Sequence, residues 1–264
     1  MIRKDGTEVI TDGRFYREND MVRIDANGCS GCSACCRFAE DTIVLDPLDV
    51  FNLTLATGES FQSLVMKKRI ALRVENGVIL PVLAFADAED APQDPAFDVR
   101  MEDGRKVYSK QIKPGVWVDY EPYSKACTFL NKEGRCEIHE RRPGFCRLFP
   151  LGRMWEEKED GNFDFKFIFQ PEECVMGNRT KVKVADWVGI KDAASYRNYH
   201  IKWHTFLSRF RKALSAAETD EQQKSLSMYV LKNFFDKPYV GAKEEMFMKQ
   251  FAMRLKQAEA MFHE

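Results

Sequence analysis

The chain has 264 residues and 44% hydrophobic content, enough to bury a sizeable core without disulfide staples. Lys and Arg number 40 against 41 Asp and Glu; the resulting net charge of −1 argues against a dedicated nucleic-acid binder or a polybasic membrane surface. The longest apolar run, residues 78–86, has nine residues where a bilayer span needs about 20, and the first residues have no signal-peptide character, so a cytoplasmic protein is expected.

Residues 1–26 read as a polar extension with short β-like stretches. A tight cysteine run follows: Cys29, Cys32, Cys35 and Cys36. Residues 42–45 read as a strand. A helix is expected next, with Asp46 as N-cap, Pro47 in the first turn, apolar Leu48, Phe51 and Leu55, and Gly58 as stop. A second helix is expected from Ser60 to about Val74, then a buried strand over residues 78–86 whose Pro81 places it at an edge. Residues 87–95, rich in acids and proline, read as a loop. Asp103-Gly104 and Asp160-Gly161-Asn162 mark two hairpins. Cys127 and Cys136 flank the turn Asn131-Lys132-Glu133-Gly134, and Cys146 lies in a proline-bounded segment, 142–150, read as a fixed loop. From about Lys181 the pattern becomes helical. Tyr199, Trp203, Phe206 and Phe210 form one apolar stripe, Leu226, Val230 and Phe234 a second, and Phe247, Phe251, Leu255, Ala258 and Phe262 a third; all three are read as core.

The eight cysteines carry the chemistry. Reduced thiols are the rule in the cytosol, so a disulfide framework is not expected. Around the first four, Gly28, Ser30, Gly31, Ser33 and Ala34 offer nothing to pack but leave the backbone free to wrap a ligand. In Cys29-x2-Cys32-x2-Cys35, successive thiolates converge from one loop, as in the run that holds three corners of a [4Fe–4S] cluster. Structural zinc more often takes two cysteines from each of two knuckles, so the spacing leans to iron–sulfur with zinc as the rival. Cys36 diverges from its neighbour and suits a different centre or a supporting place. Cys127, Cys136, Cys146 and Cys174 supply four further thiols; one site with spare thiols and two four-thiolate sites both remain open. Residues 135–153 hold five Arg and two acids, which would compensate an anionic cluster or form a solvated basic surface.

The three segments Cys-x2-Cys-x2-Cys-Cys, Cys-Thr-Phe-Leu…Gly-Arg-Cys-Glu-Ile-His and Arg-Pro-x2-Cys-Arg-x-Phe-Pro, followed by a later Cys, resemble the YkgJ-type cysteine-cluster family of zinc- or iron-chelating domains over about residues 27–174. The resemblance assigns Cys29, Cys32, Cys35, Cys36, Cys127, Cys136, Cys146 and Cys174 as metal ligands. It places Arg142, Pro143, Arg147, Phe149 and Pro150 in a shared frame, with Arg142 and Arg147 as cofactor-binding residues. His139 departs from the aromatic often found there and is read as a packing substitute, not a ligand. The domain is also similar to one in flagellin lysine-N-methylases, which implies a protein-modifying enzyme as the alternative.

Nucleotide-binding glycine loops and a serine-hydrolase elbow are absent. His200 and His204 share a helix face but lack the intervening Glu of zinc proteases, and capping explains Asp46 and Asp49. An anion facing Arg141, Arg147 or Arg153 would favour the enzyme reading. The expectation is an α+β protein: an irregular cysteine-rich metal-binding domain with short hairpins and helices over residues 1–180, then a helical subdomain over 181–264. It would hold an iron–sulfur cluster, [4Fe–4S], or zinc, with a redox role or a structural, interaction-module role respectively. No nucleic-acid or membrane partner is expected, and no catalytic residue is assigned.

Overall fold

A computed structural model of the chain describes residues 10–25, 33, 35–39, 42–87, 98–102, 105–113, 116–120, 125–171, 174, 179–217 and 219–260. The fold is mixed α+β, as the sequence pattern implied. Strands β1 (Phe15–Tyr16) and β2 (Met21–Asp25) come first; β2 alternates, with Val22 and Ile24 turned inward. One helical turn, α1 (Cys35–Phe38), follows. Residues 42–45 form only a bridge: Leu45 N–H donates to Pro81 O at 2.9 Å and Leu83 N–H to Ile43 O at 3.0 Å.

Helix α2 (Pro47–Thr57) has the expected punctuation. Asp46 and Asp49 form a reciprocal capping box, and Gly58 closes the helix at φ 70. Helix α3 (Phe61–Met66) begins at its Ser60 cap but stops well short of Val74. The rest of that segment is strand β3 (Ile70–Glu75), which turns over Asn76-Gly77 into β4 (Val78–Leu83). Asn76 and Gly77 sit at φ 50 and φ 79, the Asn-Gly hairpin turn that overrides the helical pattern. A Cβ at Gly77 would also lie 2.5 Å from Leu214 Cδ2, so that side chain would have to shift. β4 is buried as expected; Pro81, which has no N–H to give, turns its carbonyl toward the thinly bonded 43–45 side.

Strand β5 (Phe85–Asp87) leads out of this hairpin. β6 (Asp98–Glu102), β7 (Arg105–Lys113) and β8 (Val116–Tyr120) form an antiparallel sheet; the Asp103-Gly104 turn between the first two, like most of the 87–95 loop, lies outside the described residues. β9 (Lys125–Cys127) pairs with β5. A 3₁₀ turn (His139–Arg141) precedes α4 (Gly144–Leu148), so Cys146 sits on a short helix where a loop was expected. Pro143 is tolerated because it takes the N-cap position, where no N–H is needed. β10 (Leu151–Glu157) and β11 (Phe163–Phe169) form the second expected hairpin, with β1 on its far edge.

β12 (Thr180–Lys183) pairs with β2 and leads into α5 (Val184–Val188), α6 (Ala193–Ala216) and α7 (Asp220–Val230). The chain then makes a π-helical turn (Leu231–Asp236) and ends its described course in α8 (Glu244–Ala260); Phe262 lies beyond it. Two cores result. The larger joins α2, α3 and the β3–β4 hairpin to the stripes of α6, α7 and α8, with Tyr199, Trp203, Phe206 and Phe210 inside it. The smaller lies over β2, β10, β11 and α5, and α6 touches it through Tyr196 and Ile201. No described helix is long and apolar enough to cross a membrane.

Phe206 is 1% exposed between Trp203, Phe210 and Phe234. Phe206→Ala should cost about 3–5 kcal/mol, read as a lower urea midpoint at unchanged slope. A loss under about 1 kcal/mol would mean that the aromatic stripe is not the core.

Candidate functional site

Three separate segments bring thiols together. Cys127 ends β9 and is 7% exposed. The turn 131–134, with Gly134 at φ 71 and Arg135 N–H donating to Asn131 Oδ1 at 2.7 Å, returns the chain so that Cys136 bridges to Leu130. Cys35 and Cys36 lie on α1, which packs beside β9, and Cys146 on α4. Cys127, Cys136 and Cys146 each feel the charge of Cys35. Burial pushes the Cys127 thiol up to about 11, with Cys136 and Cys35 adding to the shift. Burial likewise raises Cys136, and raises Cys146 well above the ordinary thiol range, where Cys35 and Cys127 contribute next. Cys35 is raised chiefly by its hydrogen bond with Cys36 and then by burial. Crowded buried thiols of this kind stay protonated until a cation takes the proton's place.

Soft sulfur donors are the set that suits zinc and iron–sulfur centres, and Cys35, Cys127, Cys136 and Cys146 are donors of that chemistry. Among the described residues, however, no three His, Cys, Asp or Glu side chains stand placed to hold a metal ion. Cys29 and Cys32 lie outside the described residues. Cys36 packs against the main core beside its partner Cys35. Cys174 is half-buried, and its carbonyl accepts from Arg179 Nη2 at 2.6 Å.

The two frame arginines divide between two places. The Arg142 guanidinium acts on Cys35 and Cys136, favouring their thiolates. His139 does not pack, contrary to expectation: the 3₁₀ turn leaves it exposed, and its Nε2 meets Nη1 of the half-buried Arg142. Arg147 instead acts on Asp46, Asp49 and His200. Arg141 reaches Asn52 Oδ1 at 3.4 Å on the exterior.

Those carboxylates and His200 belong to a polar centre that capping alone did not reveal. It lines a cavity of about 170 Å³ between α2, α4, β10 and α6. Asp49 Oδ1 accepts the Gly144 N–H at 2.7 Å, and Asp49 Oδ2 the Asp46 N–H at 3.1 Å. His200 Nδ1 lies 3.6 Å from Asp46 Oδ2, and His200 Nε2 lies 3.0 Å from Arg153 Nη2. Burial, then the charges of Arg153 and Arg147, hold His200 well below the ordinary imidazole range, so the ring is neutral. His204 stacks on Trp155 at 3.8 Å and is held down to about 4, chiefly by burial. The i, i+4 histidine pair therefore serves this cavity, one ring bridging charges and one stacked.

Residues 85–174, about a third of the chain, match the family model CxxCxxCC, described as "Putative zinc- or iron-chelating domain". This segment begins after the Cys29–Cys36 run and covers Cys127, Cys136, Cys146 and Cys174. The class of domain is the one the cysteine pattern resembled, and metal binding is its described property. No curated protein and no solved structure matches the chain.

Burial, followed by the neighbouring Asp46, raises the Asp49 carboxyl from 3.8 to about 7. The folded state therefore holds a proton that the unfolded chain releases, so this stabilisation is full below pH ~4 and lost as pH rises toward ~7. Asp49→Asn should remove that dependence. The variant's melting temperature should gain on the wild type between pH 4 and 7; curves that stay parallel would show that Asp49 titrates normally.

Proposed function

We propose that the chain holds a metal centre on thiolates drawn from its eight cysteines, with a [4Fe–4S] cluster as the favoured group and a redox role in a reducing, cytoplasmic setting. The observation that carries this reading is the match of residues 85–174 to a zinc- or iron-chelating domain, in a fold where the charge of Cys35 reaches Cys127, Cys136 and Cys146. Cys35 ends the triple run Cys29-x2-Cys32-x2-Cys35, so the iron–sulfur spacing leads directly into the thiol group. Cys36 and Cys174 complete the proposed set, Cys36 through its bond to Cys35. Arg142 would hold the cofactor side by offsetting cluster charge, and Arg147 is proposed in the same role at longer range. Such a cluster supplies one-electron chemistry when bound. Zinc is the second reading, because four thiolates are also its closed structural set; the protein would then be a scaffold whose metal orders the loops of residues 1–180 against the helices of 181–264.

Metal and acid-labile sulfide measured on anaerobically purified protein separate these readings. Iron and sulfide near four each per chain with broad visible absorption are expected; one or two zinc without sulfide or colour would replace the redox role by the structural one. Cys35→Ser and Cys146→Ser should lose metal and lower the melting temperature, and full metal retention in both would overturn the site. His139→Ala should keep the metal. Stoichiometric loss there would make His139 a ligand.

A further inference from the structure

We propose that the cavity between α2, α4, β10 and α6 is a binding site for a small zwitterion, an α-amino acid with an apolar side chain. Its volume, about 170 Å³, slightly exceeds the roughly 150 Å³ cavity that lodges a benzene ring, so the occupant is a molecule of about six to nine heavy atoms.

The polar walls say what that molecule carries. On one wall stand Asp46 and Asp49; on another stands Arg153, with Arg147 acting on the same carboxylates. Among the described residues neither arginine forms an ion pair with a carboxylate, and each has a buried Nε without a hydrogen-bond partner. Opposite charges buried this closely would normally close on one another. Neutral His200 holds them apart, one ring nitrogen toward Asp46 and the other on Arg153. The gap thus offers carboxylate acceptors on one side and guanidinium donors on the other. A simple anion would meet Arg153 but face the Asp46–Asp49 pair; a simple cation would meet that pair but face Arg153. An ammonium and a carboxylate on one carbon satisfy both. The remaining walls are apolar, formed by Val44, Leu45, Leu80, Trp203 and Leu207, and Phe145 stands 49% exposed beside the cavity. They suit an aliphatic side chain, which water would leave unused.

Gly144 supplies the test. A Cβ there would lie 3.6 Å from Asp49 Oδ1 and 4.0 Å from Arg153 Nη2, ordinary contact distances at a position with no left-handed backbone. Gly144→Ala therefore keeps every charge and the Gly144 N–H bond, and places a methyl between the two charged walls.

Calorimetry on the full chain with its metal retained would use L-valine, L-leucine and L-methionine, with 4-methylpentanoate and 3-methylbutylamine as leucine stripped of one charge each. Saturable binding of at least one amino acid is expected, with both single-charge analogues at least tenfold weaker. Gly144→Ala should retain its metal content and melting temperature and lose at least tenfold in amino-acid affinity; Arg153→Gln should lose as much. The proposal is overturned if no amino acid gives saturable heat, if either single-charge analogue binds as well as leucine, or if Gly144→Ala binds at full affinity.

Discussion

One carboxylate joins the parts of this molecule that matter for chemistry. Asp49 accepts the N–H of Asp46, which closes the start of α2, and the N–H of Gly144, which opens α4. The first bond belongs to a helix buried in the main core; the second fixes the short helix carrying Cys146. A buried hydrogen-bonded carboxylate is costly to leave unmatched, so the bond orients α4 as well as holding it. The Asp49 charge in turn reaches the Cys146 thiol on α4. The same carboxylate forms a wall of the cavity, so the metal region and the polar pocket share a single anchor.

Charge is distributed around this anchor by depth. The basic segment 135–153 is neither wholly a solvated face nor wholly a counter-charge for metal. Arg141 stays at the surface on Asn52, and Arg142 meets His139 while its charge reaches the thiols. Arg153 turns inward, binding Tyr196 and His200. Arg69, from β3's leading edge, pairs with Glu137 and lies 4.1 Å over the Phe129 ring next to Cys127. The charges of Arg142 and Arg69 thus both reach the cysteines, and that of Asp49 reaches Cys146.

Local signals in the sequence were sound wherever the chain itself decides the outcome. The cap at Asp46, the stop at Gly58, the 131–134 turn and the stripes of α6 and α8 all follow from short-range sterics and periodicity. The helical pattern beyond α3 ends early because Asn76-Gly77 converts the apolar residues beside it into a hairpin. The α4 turn was hidden because its proline stands at the cap, where proline does no harm. The turn that returns Cys136 to Leu130 was legible from spacing. The cavity was not: its charged residues come from positions 46, 49, 153 and 200, and each had a sufficient local explanation as a cap, a basic surface or a helix face.

The service of α6 to two cores has a spectroscopic consequence. Trp203, on that helix, is enclosed by phenylalanines of the larger core. Trp155 stacks on His204 of the same helix but belongs to the smaller core, as does Trp187, whose indole N–H donates to Phe149 O at 3.1 Å. These three indoles therefore form a built-in set of reporters in distinct surroundings. Emission from single-tryptophan versions of the chain would resolve whether the two cores melt together or in sequence. Trp155 and Trp203 both line the cavity, but a fluorophore at 155 would also sense the smaller core and one at 203 the helical bundle, without any added label.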